Sequence, residues 1–102
     1  MIFVDEISIS NFRTTTSILF FCAPWCMPCK NLYPTLVKLS EEFDGINFLK
    51  IDIDESPDIP QEFGIQSVPT LVFLREGEFI NMIVGVHSLE KLRYAIKENF
   101  YV

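Results

Sequence analysis

The chain has 102 residues, a length typical of one compact domain with a single core and too short for two independent domains. Hydrophobic residues make up 49% and aromatic residues 14%, which indicates a well-filled globular interior and excludes a disordered segment. The formal net charge of -6 argues against nucleic acid as a partner, because that binding needs clustered Lys and Arg side chains. We therefore expect a single domain over residues 1–102.

The N-terminus predicts a protein that is neither exported nor inserted in a membrane. Met1 to Glu6 lack the basic segment of a secretory signal, and the apolar run from Ile18 to Trp25 is far shorter than the roughly 20 residues of a membrane span. The three cysteines do not resemble the paired framework of a small secreted domain. We expect a cytoplasmic protein with no membrane partner, and we expect it to be a monomer.

The first half of the chain predicts two strands, joined by a brief helix or an irregular crossover, and then a long helix. Ile2 to Val4 predicts a short strand, and Ile18 to Cys22 is continuously apolar, as in a central parallel strand that is covered on both faces. From Met27 to Phe43 apolar residues recur at helical spacing, and Pro34 predicts a kink because it removes a backbone hydrogen bond. The connection, a brief helix or an irregular crossover, contains Ile7, Ile9 and Phe12.

The second half predicts three more strands and two helices. Ile46 to Ile53 alternates as a strand, and Ser56-Pro57 predicts a capped start for a short helix that Gly64 ends. Thr70 to Leu74 and Phe79 to Val84 predict an antiparallel hairpin. The last helix is capped by Ser88 and carries a stripe made of Leu89, Leu92, Ile96 and Phe100. The order of elements predicts an α/β fold with a mixed sheet of four to five strands and helices on both faces.

The segment Cys26-Met27-Pro28-Cys29 lies directly after the apolar strand and at the start of the long helix. Free amides and the dipole at a helix N-terminus stabilise a thiolate, which is the nucleophile of disulfide exchange. Cys29 lies three positions on, along the same helical face, so it can attack a mixed disulfide formed at Cys26. This placement predicts a redox enzyme in which an ionised, water-facing Cys26 attacks and Cys29 releases the product.

Further motifs follow this segment in a fixed order up to the C-terminus. They are Ala23-x-Trp25-Cys26-x-Pro28-Cys29-Lys30, Pro34, Lys50-x-Asp52-x-Asp54, Phe63-Gly64-Ile65, Val68-Pro69-Thr70, Gly77 and Val84-Gly85. From about Ser17 onward the chain thereby resembles the thioredoxin family. The resemblance implies a thioredoxin fold and a protein disulfide reductase that exchanges a dithiol for a disulfide through Cys26 and Cys29.

The same resemblance implies how substrates dock and how the dithiol is regenerated. Pro69 would be a cis-proline facing the dithiol, and Val68 would offer its backbone to an extended peptide of the substrate protein. No bound cofactor is implied, because a flavin-containing thioredoxin reductase would supply electrons from NADPH. The apolar substrate-binding surface would consist of Trp25, Met27, Pro28, Val68, Pro69 and Gly85.

Two positions depart from the family pattern. Phe20 stands where thioredoxins usually carry a buried Asp, which in the family accepts a proton from the second thiol, so Cys29 has no evident base. With that carboxylate absent, Lys50 is expected to favour the thiolate electrostatically, and Cys26 is expected to be at least as acidic as in ordinary thioredoxins. Cys22 replaces a usual aromatic residue and is either a small buried hydrophobe or a third redox thiol.

Two other functions fit parts of the pattern. The chain could be a non-catalytic thioredoxin-fold module that docks proteins through its apolar face, although such modules commonly lose a cysteine. Cys22, Cys26 and Cys29, with or without His87, could instead hold a metal ion or a cluster. Their spacing also matches that of radical SAM enzymes, but 102 residues are too few for that fold. The acidic groups Glu41-Glu42 and Asp52-x-Asp54-Glu55 are expected to be solvated, without chemistry.

Overall fold

A computed structural model describes residues 2–3 and 10–102 of the chain. The predicted helix or crossover containing Ile7 and Ile9 therefore lies outside the described residues, apart from its C-terminal end. The elements, in chain order, are β1 (Ile2–Phe3), a 3-10 helix (Ser10–Arg13), β2 (Ser17–Cys22), α1 (Met27–Glu42), β3 (Asn47–Asp52), α2 (Asp58–Glu62), β4 (Thr70–Arg75), β5 (Glu78–Val84) and α3 (Leu89–Phe100).

The described strands form one five-stranded sheet in the order β1-β3-β2-β4-β5. The strand β3 pairs in parallel with β1 and β2, whereas β4 is antiparallel to both β2 and β5. The predicted mixed sheet and the predicted β4–β5 hairpin are thereby confirmed. Because β2 is central, its carboxyl end, which leads to Cys26, is surrounded by other elements.

The sheet separates two hydrophobic cores, and β2 contributes to both. Alternate β2 residues point to opposite faces, so Ile18 and Phe20 pack with α1 and α3, whereas Leu19 and Phe21 pack with Phe12 and α2. All six β2 residues are buried, which explains the continuous apolar run from Ile18 to Cys22. The prediction of helices on both faces is confirmed.

The helix starts show where local sequence signals succeed and fail. Ser88 caps α3 as predicted, and its Oγ accepts a hydrogen bond from the Lys91 amide at 3.1 Å. The predicted Ser56 cap is wrong: α2 begins at Asp58 after Pro57, because the Ser56 amide donates to the Asp52 carbonyl in the preceding turn. The helix α1 runs through Pro34 without ending. Within the described residues, none of the helices has the length and apolar character needed to cross a membrane.

Gly77, in the β4–β5 turn, is expected to tolerate no side chain. Its φ is +84°, and an added Cβ would overlap the carbonyl of Arg13. We expect Gly77→Ala to lower the free energy of unfolding by about 2 kcal/mol or more, because it combines left-handed strain with a backbone clash. Urea unfolding measures the change. Gly45→Ala is the matched control, since its Cβ meets nothing within 4 Å, and it should stay within about 0.5 kcal/mol of wild type. Equal losses would contradict this explanation.

Candidate active site

Cys26 and Cys29 form a disulfide at the N-terminus of α1, with their Cα atoms 5.4 Å apart. Cys26 is the N-cap residue in extended conformation, and its Sγ accepts the Cys29 amide at 3.3 Å. Pro28 occupies the first turn, where its missing N–H costs nothing. The helix start therefore holds both sulfur atoms together and offers a backbone N–H to negative charge on Cys26.

The expectation that Cys26 faces water is wrong for the disulfide form. Cys26 is only 4% exposed and Cys29 only 3%, and both belong to the core cluster on the α1 side of the sheet. Folding of the segment before α1 covers Cys26, since its amide donates to the Ala23 carbonyl in a tight turn. In the disulfide form a partner sulfur can therefore reach little of the Cys26 surface, and Cys29 is buried to nearly the same extent.

Two large apolar side chains beside the disulfide are exposed to solvent. Trp25 is 67% exposed and Met27 is 62% exposed. The Trp25 ring is held by a hydrogen bond from its Nε1 to Oδ2 of Asp54 at 3.0 Å. Asp54, which was expected to be solvated and without chemistry, therefore fixes the orientation of the Trp25 side chain next to Cys26.

The loop before β4 completes this side of the molecule. The Val68–Pro69 peptide bond is cis, as the resemblance implied. Val68 packs against the cluster that contains both cysteines, and the Pro69 carbonyl accepts the Gly85 amide at 2.9 Å. A groove of about 270 Å³ runs between Trp25 and Val68 and continues along α2. Of the predicted docking residues, Val68 thus contacts the cluster that holds the disulfide, and Pro69 and Gly85 are joined by a backbone hydrogen bond.

A second cavity, of about 310 Å³, lies behind the disulfide on the α1 side of the sheet. Phe20, which occupies the position of the expected buried carboxylate, is 1% exposed and forms part of the wall. The polar side chains that line the cavity come from β3 and α1. The full lining is Phe20, Cys22, Ala23, Pro24, Cys29, Lys30, Tyr33, Lys50 and Asp52.

Lys50 lies in this cavity, close to the active-site helix. Its Nζ is 5.0 Å from the centre of the Tyr33 ring, over the ring face, which is a cation–π contact. The contact connects β3 to α1 one turn after Cys29. Lys50 therefore adds positive charge to the cavity that Cys29 also lines.

Cys22 is buried at the end of β2, and its Sγ donates to the Ile51 carbonyl at 3.6 Å. Burial raises the pKa of the Cys22 thiol to about 11, with Lys50 acting in the opposite direction and Asp52 adding to the rise. A thiol in this environment is almost entirely protonated at neutral pH. The geometry favours the small buried hydrophobe over the third redox thiol.

Cys22 in the oxidised protein is expected to resist alkylation at pH 8, because burial covers it and its raised pKa keeps it protonated. Iodoacetamide treatment followed by intact mass measurement should add no label until the protein is unfolded, and then one label. The reaction should accelerate as the pH rises toward 11. Complete labelling of the folded, oxidised protein within minutes at pH 8 would contradict the assignment.

The described residues contain no group of three or more His, Cys, Asp or Glu side chains arranged to hold a metal ion. His87, a candidate ligand by sequence, contacts the Val84 carbonyl through Nε2 at 2.9 Å. The fold joins Cys26 and Cys29 in a disulfide. Within the described residues, it does not join Cys22 or His87 to this pair as a group of three that could hold a metal ion.

Comparison with known proteins finds relatives that match most of this chain. The thioredoxin family model matches residues 4–98. The thioredoxin of Staphylococcus saprophyticus is 36% identical over 90 residues, covering 87% of this chain and 86% of that protein. The thioredoxin of Listeria monocytogenes is 35% identical over 100 residues, covering 93% of this chain and 97% of that protein. A solved mutant thioredoxin from Halobacterium salinarum superposes with a TM-score of 0.86 at 29% identity, covering 96% and 88% of the two chains.

Proposed function

This chain belongs to the thioredoxin family of thiol-disulfide oxidoreductases, and we propose that its Cys26 is the attacking thiol and Cys29 the resolving thiol of protein disulfide reduction. The observation that carries this assignment is the position of the pair at the start of α1. Cys26 is at the N-cap, flanked by exposed side chains, whereas Cys29 lies behind it next to a cavity. The redox group is the disulfide of the chain itself.

The reaction transfers two electrons from the dithiol to a substrate disulfide. The Cys26 thiolate attacks one substrate sulfur, so that an intermolecular disulfide forms and the other substrate sulfur leaves as a thiolate. The Cys29 thiolate then attacks Cys26 Sγ, the intermolecular bond breaks, and the second substrate thiolate leaves. The Cys26–Cys29 disulfide remains, and the two substrate thiolates take up two protons.

The substrate-binding surface of this proposal contains Trp25, Met27, Pro28, Val68, Pro69 and Gly85. Exposed apolar side chains beside a reactive pair favour contact with a protein chain. The groove between Trp25 and Val68 supports an extended peptide as the contacting segment, because the backbone before β4 offers strand-like pairing. Asp54 would keep the Trp25 ring oriented toward that peptide.

Lys50 is proposed to stabilise the thiolate of the reduced pair. Its ammonium group faces the cavity that Cys29 lines, and Phe20 places no negative charge between them. Lys50→Met is expected to move the midpoint of thiol alkylation in the reduced protein to higher pH. Lys38→Met, on an exposed part of α1, is the matched control and should leave the midpoint unchanged.

We also propose a cellular location, an oligomeric state and an electron donor for the reaction. We expect one domain over residues 1–102, monomeric in solution and located in the cytoplasm, where a reducing pool maintains the dithiol. A flavin-containing thioredoxin reductase would return electrons from NADPH to the Cys26–Cys29 disulfide. Protein disulfides are the substrate class, and specific substrates are set by contacts around the groove.

Catalytic turnover tests the function. With dithiothreitol as electron donor, a small amount of the protein should accelerate reduction of a disulfide-bonded substrate protein many times per molecule. NADPH consumption with a bacterial thioredoxin reductase tests the recharging step separately. Binding of the substrate without any acceleration would instead support the non-catalytic docking module.

A further inference from the structure

We propose that Asp52 accepts the proton of the Cys29 thiol through water in the cavity behind the disulfide. The proposal rests on the function proposed above. It assigns to Asp52 the proton-accepting role that a buried Asp has in other thioredoxins, because in this chain Phe20 occupies the position of that Asp. The observation behind it is that Cys29 and Asp52 line the same cavity of about 310 Å³. That volume has room for several water molecules, each of which occupies about 30 Å³ in the liquid.

The pairing of β2 with β3 directs Asp52 to this cavity. Phe20 pairs with Lys50, and Cys22 pairs with Asp52 one pleat further toward the active site. Side chains two residues apart on a strand point to the same face, so Lys50 and Asp52 both point toward α1. The carboxylate therefore lies one strand away from the Phe20 position, on the same side of the sheet as Cys29.

The small side chain of Cys22 keeps the space between these groups open. It stands on β2 directly beside Asp52, and both side chains form part of the cavity wall. A larger side chain at this position would fill the volume in which water connects Asp52 to Cys29. Phe20, Ala23 and Pro24 supply the apolar part of the cavity wall.

The local hydrogen bonds hold the Asp52 carboxylate in a defined orientation. Its Oδ1 accepts the Asp54 amide at 2.8 Å and the Glu55 amide at 3.4 Å. Both hydrogen bonds that we find for this side chain within the described residues end on Oδ1. The turn therefore fixes the carboxylate through one oxygen, and Oδ2 is the atom assigned to proton transfer.

The charges around Asp52 come from three elements and the turn that follows β3. Lys50 is a cation on the same strand as Asp52, and the turn that follows carries the carboxylates of Asp54 and Glu55. The titratable groups that face the cavity or adjoin Asp52 are Cys22 on β2, Lys50 on β3, Cys29, Lys30 and Tyr33 on α1, and Asp54 and Glu55 in the turn.

The proton-transfer step belongs to resolution of the mixed disulfide. The proton of the Cys29 thiol passes through water to Asp52 Oδ2, leaving a Cys29 thiolate and a neutral carboxyl group. The thiolate attacks Cys26 Sγ, the bond between Cys26 and the substrate sulfur breaks, and the substrate thiolate departs. Asp52 then returns its proton through the same water to the solvent or to the departing thiolate.

Asp52→Asn separates this role from a structural one. The Asn side chain retains an oxygen that accepts the two turn amides but has no basic carboxylate. After rapid mixing of the reduced protein with concentrated substrate disulfide, acid quenching and intact mass measurement follow formation and decay of the mixed disulfide. We expect the variant to slow the decay at pH 7 by about tenfold or more and leave its formation unchanged. Glu55→Gln, which removes the neighbouring exposed carboxylate, should change neither rate.

The pH dependence of mixed-disulfide decay distinguishes a proton-accepting role of Asp52 from a purely structural one. In Asp52→Asn the rate should rise with pH and recover the wild-type value once Cys29 ionises without help, near or above about 8.5. A variant that matches wild type at pH 7, or one that slows formation and decay equally at every pH, would overturn the proposal. Wild-type protein that forms no mixed disulfide would instead contradict the proposed function.

A second measurement needs no substitution. Carbon-13 NMR of the Asp52 carboxyl group should show, in the reduced wild-type protein, a titration step shared with Cys29. This step should be absent from the oxidised protein, in which Cys29 carries no proton. Identical Asp52 titration curves in the two redox states would overturn the proposal even if Asp52→Asn failed to fold.

Discussion

Cys29→Ser is expected to convert the protein from a catalyst into a trap for its substrates. Cys26 would still attack a substrate disulfide, because its N-cap position and neighbouring side chains do not depend on the Cys29 sulfur. A serine hydroxyl is a far weaker nucleophile than a thiolate, so the mixed disulfide would persist. Non-reducing electrophoresis and mass measurement should show a covalent complex with one substrate molecule per chain and almost no turnover.

The matched control for this variant is Cys22→Ser, which removes the third cysteine and leaves both Cys26 and Cys29 in place. It should release substrate normally, since Cys22 is buried and its pKa is raised. Trypsin digestion of the trapped complex should place the intermolecular disulfide on Cys26. A complex joined through Cys22, or the absence of any complex with several disulfide substrates, would contradict the assigned order of attack.

Cys26→Ser is expected to reduce turnover by roughly a thousandfold or more, because it removes the attacking nucleophile. The fold should survive, since serine remains able to cap α1 by accepting the Cys29 amide. Dithiothreitol-driven reduction of a substrate protein measures the loss. Circular dichroism and urea unfolding establish that the variant is folded.

The result for Cys26→Ser also separates the catalyst from a docking module. A module that acts only by binding would retain its affinity and its effect after this substitution, because the exposed Trp25 and Met27 remain in place. A catalyst would retain affinity and lose turnover. A folded Cys26→Ser protein with full activity would overturn the assignment of the nucleophile.

Much of the fold follows from local sequence patterns. The buried central strand β2 was evident from five consecutive apolar residues, and the stripe and Ser88 cap of α3 were evident from helical spacing. The Ser56 cap failed because the same residue also suits the turn that leaves β3, where its amide bonds to the Asp52 carbonyl. Where two local structures compete for one short segment, the decision comes from tertiary contacts.

The sequence motifs predicted part of the site but not its burial or its long-range contacts. The Cys26–Cys29 pair and the cis Val68–Pro69 bond follow from residues that are close in sequence or from the resemblance. The near-complete burial of Cys26 does not, because it depends on how the preceding turn folds. Asp54 was assigned no chemistry, although its contact with Trp25 joins residues 29 positions apart, a pairing that no local spacing reveals.

Local sequence patterns also did not predict which side chains line the cavity next to Cys29. Phe20 signalled that a carboxylate was missing, but the sequence offered no replacement because Asp52 belongs to another strand. Only the parallel register of β2 and β3 places Asp52 beside Cys22, on the side of the sheet that α1 covers. The register therefore shows that Asp52 lines the same cavity as Cys29, although its segment was expected to be solvated.

A single-turnover reaction followed by peptide mapping tests the central claim most directly. Fully reduced protein is mixed with an equal amount of a substrate protein that carries one disulfide, and all remaining thiols are then alkylated. The account predicts that the substrate gains two thiols while the chain loses two, with Cys26 and Cys29 joined and Cys22 still reduced. A reduced substrate with Cys26 and Cys29 both still alkylatable, or a new disulfide that includes Cys22, would contradict it.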